Sequence, residues 1–129
     1  MSIETQLHSL VQAIGSDIKT LTESQQNLAV GNLFPIITKT MSYGVQLYDH
    51  TILVNSPLTV ATMSLPSCAQ SFVAGYGRVF NFKKVDSGTY SLCIKPSGGD
   101  LIDGQSVINI TSQYDNLTIQ CDGTSWNII

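Results

Sequence analysis

The sequence has little charge. Of 129 residues, six are basic and nine acidic, and charged residues make up 12% of the chain, about half of what is usual in soluble domains. Ser, Thr, Asn and Gln instead form a third of it. Six scattered basic residues and a net charge of −3 argue against a nucleic-acid partner, because phosphate neutralisation needs clustered Lys and Arg. Since hydrophobic residues reach 43%, the composition also argues against intrinsic disorder.

Long apolar runs and metal motifs are missing as well. No run approaches 18 apolar residues, so we expect no membrane insertion. The three cysteines, Cys68, Cys93 and Cys121, have no CxxC spacing and no nearby histidine, whereas a zinc site needs about four closely spaced ligands. We therefore expect neither metal nor cofactor, and the simplest interpretation is three free thiols.

Catalytic patterns are equally sparse. His8 and His50 have no Ser, Cys or Asp at the spacing of a catalytic motif. The only close carboxylate pair is Asp100 and Asp103, in a Gly-rich segment where Asp and Gly are the residues that a turn requires. We therefore predict a turn at residues 98–104 and no enzymatic activity.

Residues 1–30 have a helical, seven-residue period. Side chains that are apolar, except for Gln25, recur at the a and d positions of three heptads, which predicts a coiled-coil stalk. The seam comprises Leu7, Val11, Ile14, Ile18, Leu21, Gln25 and Leu28. The e and g positions are mostly small or apolar, which suits an interface wider than a two-stranded seam, although the heptads alone leave dimer and trimer open. The alternative is a single amphipathic helix packed on its own domain.

The period changes to two after a connector of residues 31–50. Short alternating runs are separated by Gly, Pro, Asn and Asp, which predicts a β-rich head over residues 51–129. The predicted strands are Ile52–Val54, Leu58–Met63, Arg78–Val85, Tyr90–Lys95, Ser106–Thr111, Asn116–Cys121 and Ser125–Ile129. Without any helical period after residue 50, the expected fold class is mainly β: a helical stalk followed by a small antiparallel β-sandwich or prism.

Two hairpins are predicted in this head. Asp122-Gly123 is the sequence of a two-residue turn, and it would pair Cys121 with Thr124, Ile119 with Trp126 and Leu117 with Ile128. A second turn is predicted at residues 86–88. It would place these side chains toward the core: Phe80, Phe82, Tyr90, Leu92 and Ile94. In that pattern Cys93 faces the other way.

Exposed aromatic rings are the remaining candidates for binding, because sugars stack on them. Four tyrosines are not placed by the alternations: Tyr43, Tyr48, Tyr76 and Tyr114. The competing interpretation is packing in the core or between subunits.

The order of several motifs resembles a known group of proteins. Residues 82–87, 94–104, 113–115 and 122–129 together resemble a β-rich module of bacteriophage tail fibres and other virion appendage proteins. Residues 10–19 resemble the helical segments that precede such modules. The chain departs from the pattern at Cys93 and Cys121, where ordinary strand residues are expected, and it is much shorter than a full tail fibre.

The resemblance implies a homotrimeric structural protein of the virion, belonging to a tail, collar or head fibre. Its expected partners are its own copies and other virion proteins reached through the N-terminal stalk. A host-surface glycan or protein is a further expected partner, and host attachment an expected role. The alternative function is a carbohydrate-binding module without catalytic activity, for which the stalk would be incidental.

Overall fold

The computed structural model of the protein describes residues 3–7, 9 and 33–129. Residues 3–7 and 9 are helical and exposed, Leu7 among them. The other predicted seam residues lie outside the described residues: Val11, Ile14, Ile18, Leu21, Gln25 and Leu28. The chain divides into two compact units, Met1–Phe34 and Pro35–Ile129.

The unit Pro35–Ile129 is mainly β, as predicted. Its elements, in chain order, are β1 (Ile36–Lys39), β2 (Tyr43–Gly44), β3 (Thr51–Val54), β4 (Ala61–Ser64), a 3₁₀ helix (Ala69–Ser71), β5 (Phe72–Val73), β6 (Tyr76–Gly77), β7 (Val79–Lys84), β8 (Leu92–Lys95), β9 (Ile108–Ile110), β10 (Asn116–Cys121) and β11 (Trp126–Ile128). The first sheet has the order β1-β3-β7-β10-β11 and the second sheet β2-β4-β8-β9, while β5 and β6 form a separate hairpin. Strands β1 and β2 lie in the segment predicted as a connector.

The sheets are mixed, and the expected antiparallel arrangement is wrong for half of the pairings. Strand β3 is parallel to β1 and β7, and β4 is parallel to β2 and β8. From β1 to β8, apart from the β5–β6 hairpin, the chain places successive strands in alternate sheets. Strands β2 and β4 therefore lie in crossovers between strands of the first sheet, and β3 and β7 in crossovers between strands of the second. Parallel neighbours require such a crossover. Only β9, β10 and β11 add antiparallel pairs to the two principal sheets.

Residues 86–88 do not form the predicted hairpin. They connect β7 in the first sheet to β8 in the second. Phe80 and Phe82 therefore face Leu92 and Ile94 across the core, and all four are buried as predicted, whereas Tyr90 is exposed. The alternation correctly identified the inward faces but not the sheet to which each strand belongs.

The C-terminal hairpin exists, with a register two residues from the predicted one. Cys121 lies opposite Trp126 and Ile119 opposite Ile128, and residues 122–125 form a four-residue loop. The carboxylate of Asp122 accepts hydrogen bonds from the backbone N–H groups of Ser125 and Thr124, which stabilise this longer loop. Because side chains alternate with a period of two, the shift leaves Leu117, Ile119, Cys121 and Trp126 on the core face. Thr124 and Ile128, which were predicted on the same face, are exposed.

Aromatic rings fill the centre of the core. Phe80, Phe82 and Trp126 are fully buried. The ring centroid of Phe80 lies 5.5 Å from that of Trp126 and 6.4 Å from that of Phe82, separations that are favourable for tilted aromatic pairs. These contacts join the middle of the first sheet to its last strand.

One ion pair lies inside the core. Lys84 at the end of β7 pairs with Asp86, and both side chains are buried. The Asp86 carboxylate also accepts hydrogen bonds from the backbone N–H groups of Ser56 and Gly88, each at 2.9 Å. Through these hydrogen bonds the pair fastens the turn after β3 to the turn after β7. The two turns are also closely packed, since a Cβ on Gly88 would lie 2.4 Å from the carbonyl oxygen of Pro57.

The cysteines are not all free thiols. Cys68 and Cys121 form a disulfide across a sequence separation of 53 residues, and only Cys93 is free. Cys93 lies on the outer face of the second sheet, as the alternation predicted, with its Sγ 2.9 Å from Asn109 Oδ1. The sequence could not show this disulfide because Cys68 lies in a segment without a strand pattern, so its position relative to β10 was not fixed.

Loss of the disulfide is expected to destabilise the β-rich unit. Closing a loop of this length lowers the chain entropy of the unfolded state by an amount worth about 4 kcal/mol, and measured effects are typically 2–4 kcal/mol. The double variant Cys68→Ser/Cys121→Ser should therefore lose about 2–4 kcal/mol of unfolding free energy in guanidinium titrations. Cys93→Ser is the control and should match the wild type. Equal stability of the double variant and the wild type would contradict the disulfide.

Removal of the buried carboxylate should be costly as well. Asp86→Asn leaves the Lys84 ammonium buried without its counter-charge, and breaking such pairs costs about 3–5 kcal/mol. Asp115→Asn changes an exposed aspartate by the same chemistry and should have little effect on the unfolding free energy. A small loss in Asp86→Asn would show that Lys84 finds other compensation.

The same pair predicts how stability depends on pH. Burial raises the pKa of Asp86, but hydrogen bonds from Lys84, Ser56 and Gly88 and the Lys84 charge outweigh burial, so that the pKa lies below its usual 3.8. The stabilisation is thus present above pH 3.8 and is lost as the pH falls through the lowered pKa. We expect Asp86→Asn to flatten the acid limb of the stability curve, measured by denaturation at several pH values.

Candidate functional site

The β-rich unit carries a surface cleft of about 400 Å³, which is within the range of small-ligand sites. It is lined by Leu47 and by residues of the segment 70–78: Gln70, Ser71, Val73, Tyr76, Gly77 and Arg78. We refer to it as the Arg78 cleft. Most of its lining belongs to the 3₁₀ helix and to the β5–β6 hairpin.

A tight turn shapes the β5–β6 hairpin. Val73 and Tyr76 lie directly opposite each other, and Ala74 and Gly75 between them both have positive φ angles, 53° and 87°. Two positive φ angles are the geometry of the two-residue turn that suits hairpins. Directly opposed side chains share a face, so the turn places Val73 and Tyr76 side by side in the cleft. Both are exposed, Tyr76 by 82%.

Backbone hydrogen bonds fix the position of Arg78. Its N–H donates to the carbonyl of Ser71 at 2.7 Å, and its own carbonyl accepts from the N–H of Cys121 at 3.1 Å. The N–H of Ser71 in turn donates to the carbonyls of Ser67 and Cys68, at 3.1 and 3.0 Å. Arg78 is thus held between the 3₁₀ helix and the end of β10, next to the disulfide.

Close packing also holds the hairpin against β10. A Cβ on Gly77 would lie 1.7 Å from the carbonyl oxygen of Cys121, so no other residue fits there without movement of the backbone. The ring of Phe72 lies against Gly123, whose φ of +98° likewise favours glycine. These contacts and the disulfide hold the hairpin in place.

The cleft combines positive charge with apolar surface. Arg78 is the only arginine of the sequence, and it is exposed. Among the described residues the ion pair is formed by Lys84 and Asp86, and Arg78 takes no part in it. No acidic residue lines the cleft, and Gln70 contributes an amide that can both donate and accept. The remaining lining is mainly apolar and aromatic. Such a site can hold an anionic group beside an apolar ring.

The candidate tyrosines are not brought together. Tyr76 lines the cleft, and Tyr48 is exposed and follows the lining residue Leu47 in sequence. Tyr43 and Tyr114 do not line it. Tyr114 is exposed, with the Lys83 ammonium 5.6 Å from its ring centroid.

Tyr43 has a structural role. It is half-buried against the core, its hydroxyl donates to Asp49 at 2.8 Å, and the Lys39 ammonium lies 4.0 Å from its ring centroid. Burial, together with the hydrogen bond to Asp49 and the charge of that residue, raises the pKa of Tyr43 to about 12. These contacts favour the packing interpretation for this tyrosine.

The carboxylates of Asp100 and Asp103 accept hydrogen bonds from backbone N–H groups. Asp100 accepts a hydrogen bond from the N–H of Cys68 at 2.8 Å, and Asp103 accepts from the N–H of Ile128 at 3.2 Å. Asp103 and Gly104 both have positive φ angles, 46° and 79°. This is the geometry of the predicted turn, and Asp100 also supports the disulfide-linked segment.

The sequence pattern missed most of the cleft. Of its lining residues only Tyr76 is a candidate from the sequence, because residues 67–77 and the connector around Leu47 have no alternation that would place their side chains. Arg78 is predicted only as the first residue of a strand. Two signals were available in the sequence: the single arginine, and the Ala74-Gly75 pair between Val73 and Tyr76. An Ala-Gly turn is a weaker signal than Asn-Gly or Asp-Gly.

Residues 3–7, 9 and 33–129 contain neither a cluster of metal ligands nor a membrane-spanning helix. No group of three or more His, Cys, Asp or Glu side chains there could hold a metal ion. None of the helices in this part is long and apolar enough to span a membrane.

His50 lies next to β3 with its Nδ1 3.0 Å from Thr51 Oγ1, and burial lowers its pKa.

No protein-family model matches the sequence, and no curated protein shows significant sequence similarity to it.

Proposed function

We propose that the chain is a structural subunit of a virion fibre or appendage, homotrimeric through an N-terminal coiled coil, with the β-rich unit as a head that contacts the host surface. The resemblance of the motif order to tail-fibre modules supports this role. The observation that carries the proposal is the open edge of the first sheet at β1.

Strand β1 is an edge strand with exposed apolar side chains. It pairs with β3 on one side, and no strand of the described residues pairs with its other side. Ile36 in β1 is 63% exposed, and Met41 just after it is also exposed. Exposed edge strands promote pairing with another chain, and proteins usually protect them with charge. The one charged residue of β1, Lys39, packs over Tyr43 instead.

The position of β1 in the sequence fits association between copies. It begins six residues after the predicted coiled coil ends at residue 30. A coiled coil of parallel chains would therefore hold several β1 strands near one another. The low charge of the chain favours association in the same way, because a small monomer relies on surface charge for solubility.

The disulfide supports a location outside a reducing cytosol. Disulfides persist in oxidising environments, which include virion and cell surfaces. A non-enzymatic structural role is likewise compatible with Asp100 and Asp103, whose carboxylates are engaged by backbone N–H groups. Within the proposal, the stalk is the segment that attaches to other virion proteins.

A second candidate function is a carbohydrate-binding module that acts without the stalk. The Arg78 cleft favours it, because a cleft with an exposed tyrosine and polar donors suits a sugar. Such a module would work as a monomer. The oligomeric state therefore distinguishes the two candidates.

The seam of the stalk gives a direct test. Ile14→Asp would place a charge in the apolar seam of every chain, where it has no partner, and should dissociate the assembly. Ser16→Asp adds the same charge at an outward heptad position and is the matched control. In sedimentation at micromolar concentration we expect the wild type and Ser16→Asp to have three times the mass of one chain, and Ile14→Asp to be monomeric.

The contrary results are equally clear. A monomeric wild type would overturn the fibre proposal in favour of the binding module. If Ile14→Asp kept the mass of the wild type, the β-rich units alone would hold the subunits together. That result would contradict the proposal that the stalk holds the assembly together.

The edge strand gives a second test. Ile36→Lys places a charge on β1 and should raise the concentration at which the assembly dissociates by about tenfold, as loss of one buried apolar side chain would. Leu58→Lys is the matched control, since Leu58 is 85% exposed and lies outside the strands. An equal effect of both variants, or none of either, would contradict a role for the β1 edge.

A further inference from the structure

We propose that the Arg78 cleft binds a saccharide that carries a carboxylate, with the Arg78 guanidinium on the carboxylate and the Tyr76 ring against the sugar. This inference rests on the proposed contact of the β-rich unit with the host surface and names the ligand class of that contact. It differs from the sequence-based expectation of a glycan by assigning the site and the charge of the ligand.

The Arg78 guanidinium is the reason for proposing a carboxylate on the ligand. Arginine presents a planar set of N–H donors that matches a carboxylate with two parallel hydrogen bonds. No acidic residue lines the cleft to compete for Arg78, although the chain as a whole has a net charge of −3. Since the overall charge does not favour anions, attraction of a carboxylate to this cleft has to come from Arg78 itself.

The apolar and amide side chains of the lining are the reason for proposing a sugar ring as the rest of the ligand. Val73 and Tyr76 form one face of the hairpin, and Leu47 lines the cleft with them. A pyranose ring has an apolar C–H face that packs on an aromatic ring, and its hydroxyl groups need partners that donate and accept, as the Gln70 amide does. A volume of about 400 Å³ lies near the lower end of the range for ligand sites, which suits one or two sugar units.

The cleft is formed in advance of the ligand. The disulfide, the hydrogen bonds of the Arg78 backbone and the contact of Gly77 with Cys121 hold the hairpin on β10. A binding site that is already ordered loses little conformational freedom when it binds. This compensates for the few contacts that an open cleft can make.

The test uses ¹⁵N-labelled full-length protein and NMR titration with defined ligands. The acidic probes are the methyl glycoside of N-acetylneuraminic acid and a disaccharide containing glucuronic acid. The neutral probe is the corresponding glucose disaccharide, and sodium acetate supplies a carboxylate without a sugar ring. We expect saturable shifts confined to the segment 70–78 and Leu47 with an acidic saccharide, and much weaker binding of the neutral disaccharide and of acetate.

Variants assign the two contacts. Arg78→Gln should weaken binding of the acidic saccharide by roughly tenfold or more, the usual effect of losing hydrogen bonds to a charged group. Arg78→Lys should weaken it less, because the charge stays while the paired donors are lost. Tyr76→Ala should weaken binding of acidic and neutral sugars by about fivefold. The matched controls are Lys95→Gln, at an exposed residue of β8, and Tyr90→Ala, at another exposed tyrosine.

Three results would overturn the inference. They are the absence of shifts in the cleft with both acidic probes, equal affinity for the neutral disaccharide or for acetate, and full binding by Arg78→Gln. None of these results changes the mass of the assembly in sedimentation. A trimer with an empty cleft would therefore refute the ligand and leave the fibre proposal standing, whereas a monomer that binds the saccharide would do the opposite.

Discussion

Burial of one face of each principal sheet is the constraint on which the rest of the β-rich unit depends. Each sheet can exclude water from its apolar face only against the other. From β1 to β8, apart from the β5–β6 hairpin, the chain meets this requirement by placing successive strands in alternate sheets. Phe82 of β7 and Leu92 of β8 thus lie in different sheets of one core instead of pairing side by side. Two neighbouring strands of one sheet are then separated in sequence by a strand of the other sheet. The chain enters both strands from the same end, so they are parallel. The buried Lys84–Asp86 pair fastens the turns that make these crossings possible.

The Arg78 cleft depends on a second, smaller set of constraints. The segment 67–78 belongs to neither principal sheet, so its position comes from the disulfide, the hydrogen bonds of Arg78 and the absence of a side chain at Gly77. Asp100, which reads as a turn residue in the sequence, also holds this segment through the N–H of Cys68. The cleft is therefore a product of contacts between residues that are far apart in sequence.

Low charge connects the proposed assembly with the proposed ligand. A chain with so few charged residues gains from hiding its edges between copies, and the exposed β1 edge is where such contact is expected. With few charges on the surface, one arginine without an acidic neighbour in its cleft would be enough to give that cleft the proposed preference for an acidic ligand. Several copies in one assembly would multiply a weak contact with a surface that displays the ligand many times.

The sequence by itself determined the local features of the β-rich unit. It placed β10 at its observed bounds, identified Phe80, Phe82, Leu92 and Ile94 as inward-facing, and placed Cys93 on the opposite face, because side-chain alternation is a property of neighbouring residues. Only the tertiary structure decided which strands pair, the register of the last hairpin, the Cys68–Cys121 disulfide and the cleft around Arg78. These depend on long-range contacts between segments whose local patterns are compatible with more than one partner, and a shift of two residues leaves the alternation unchanged.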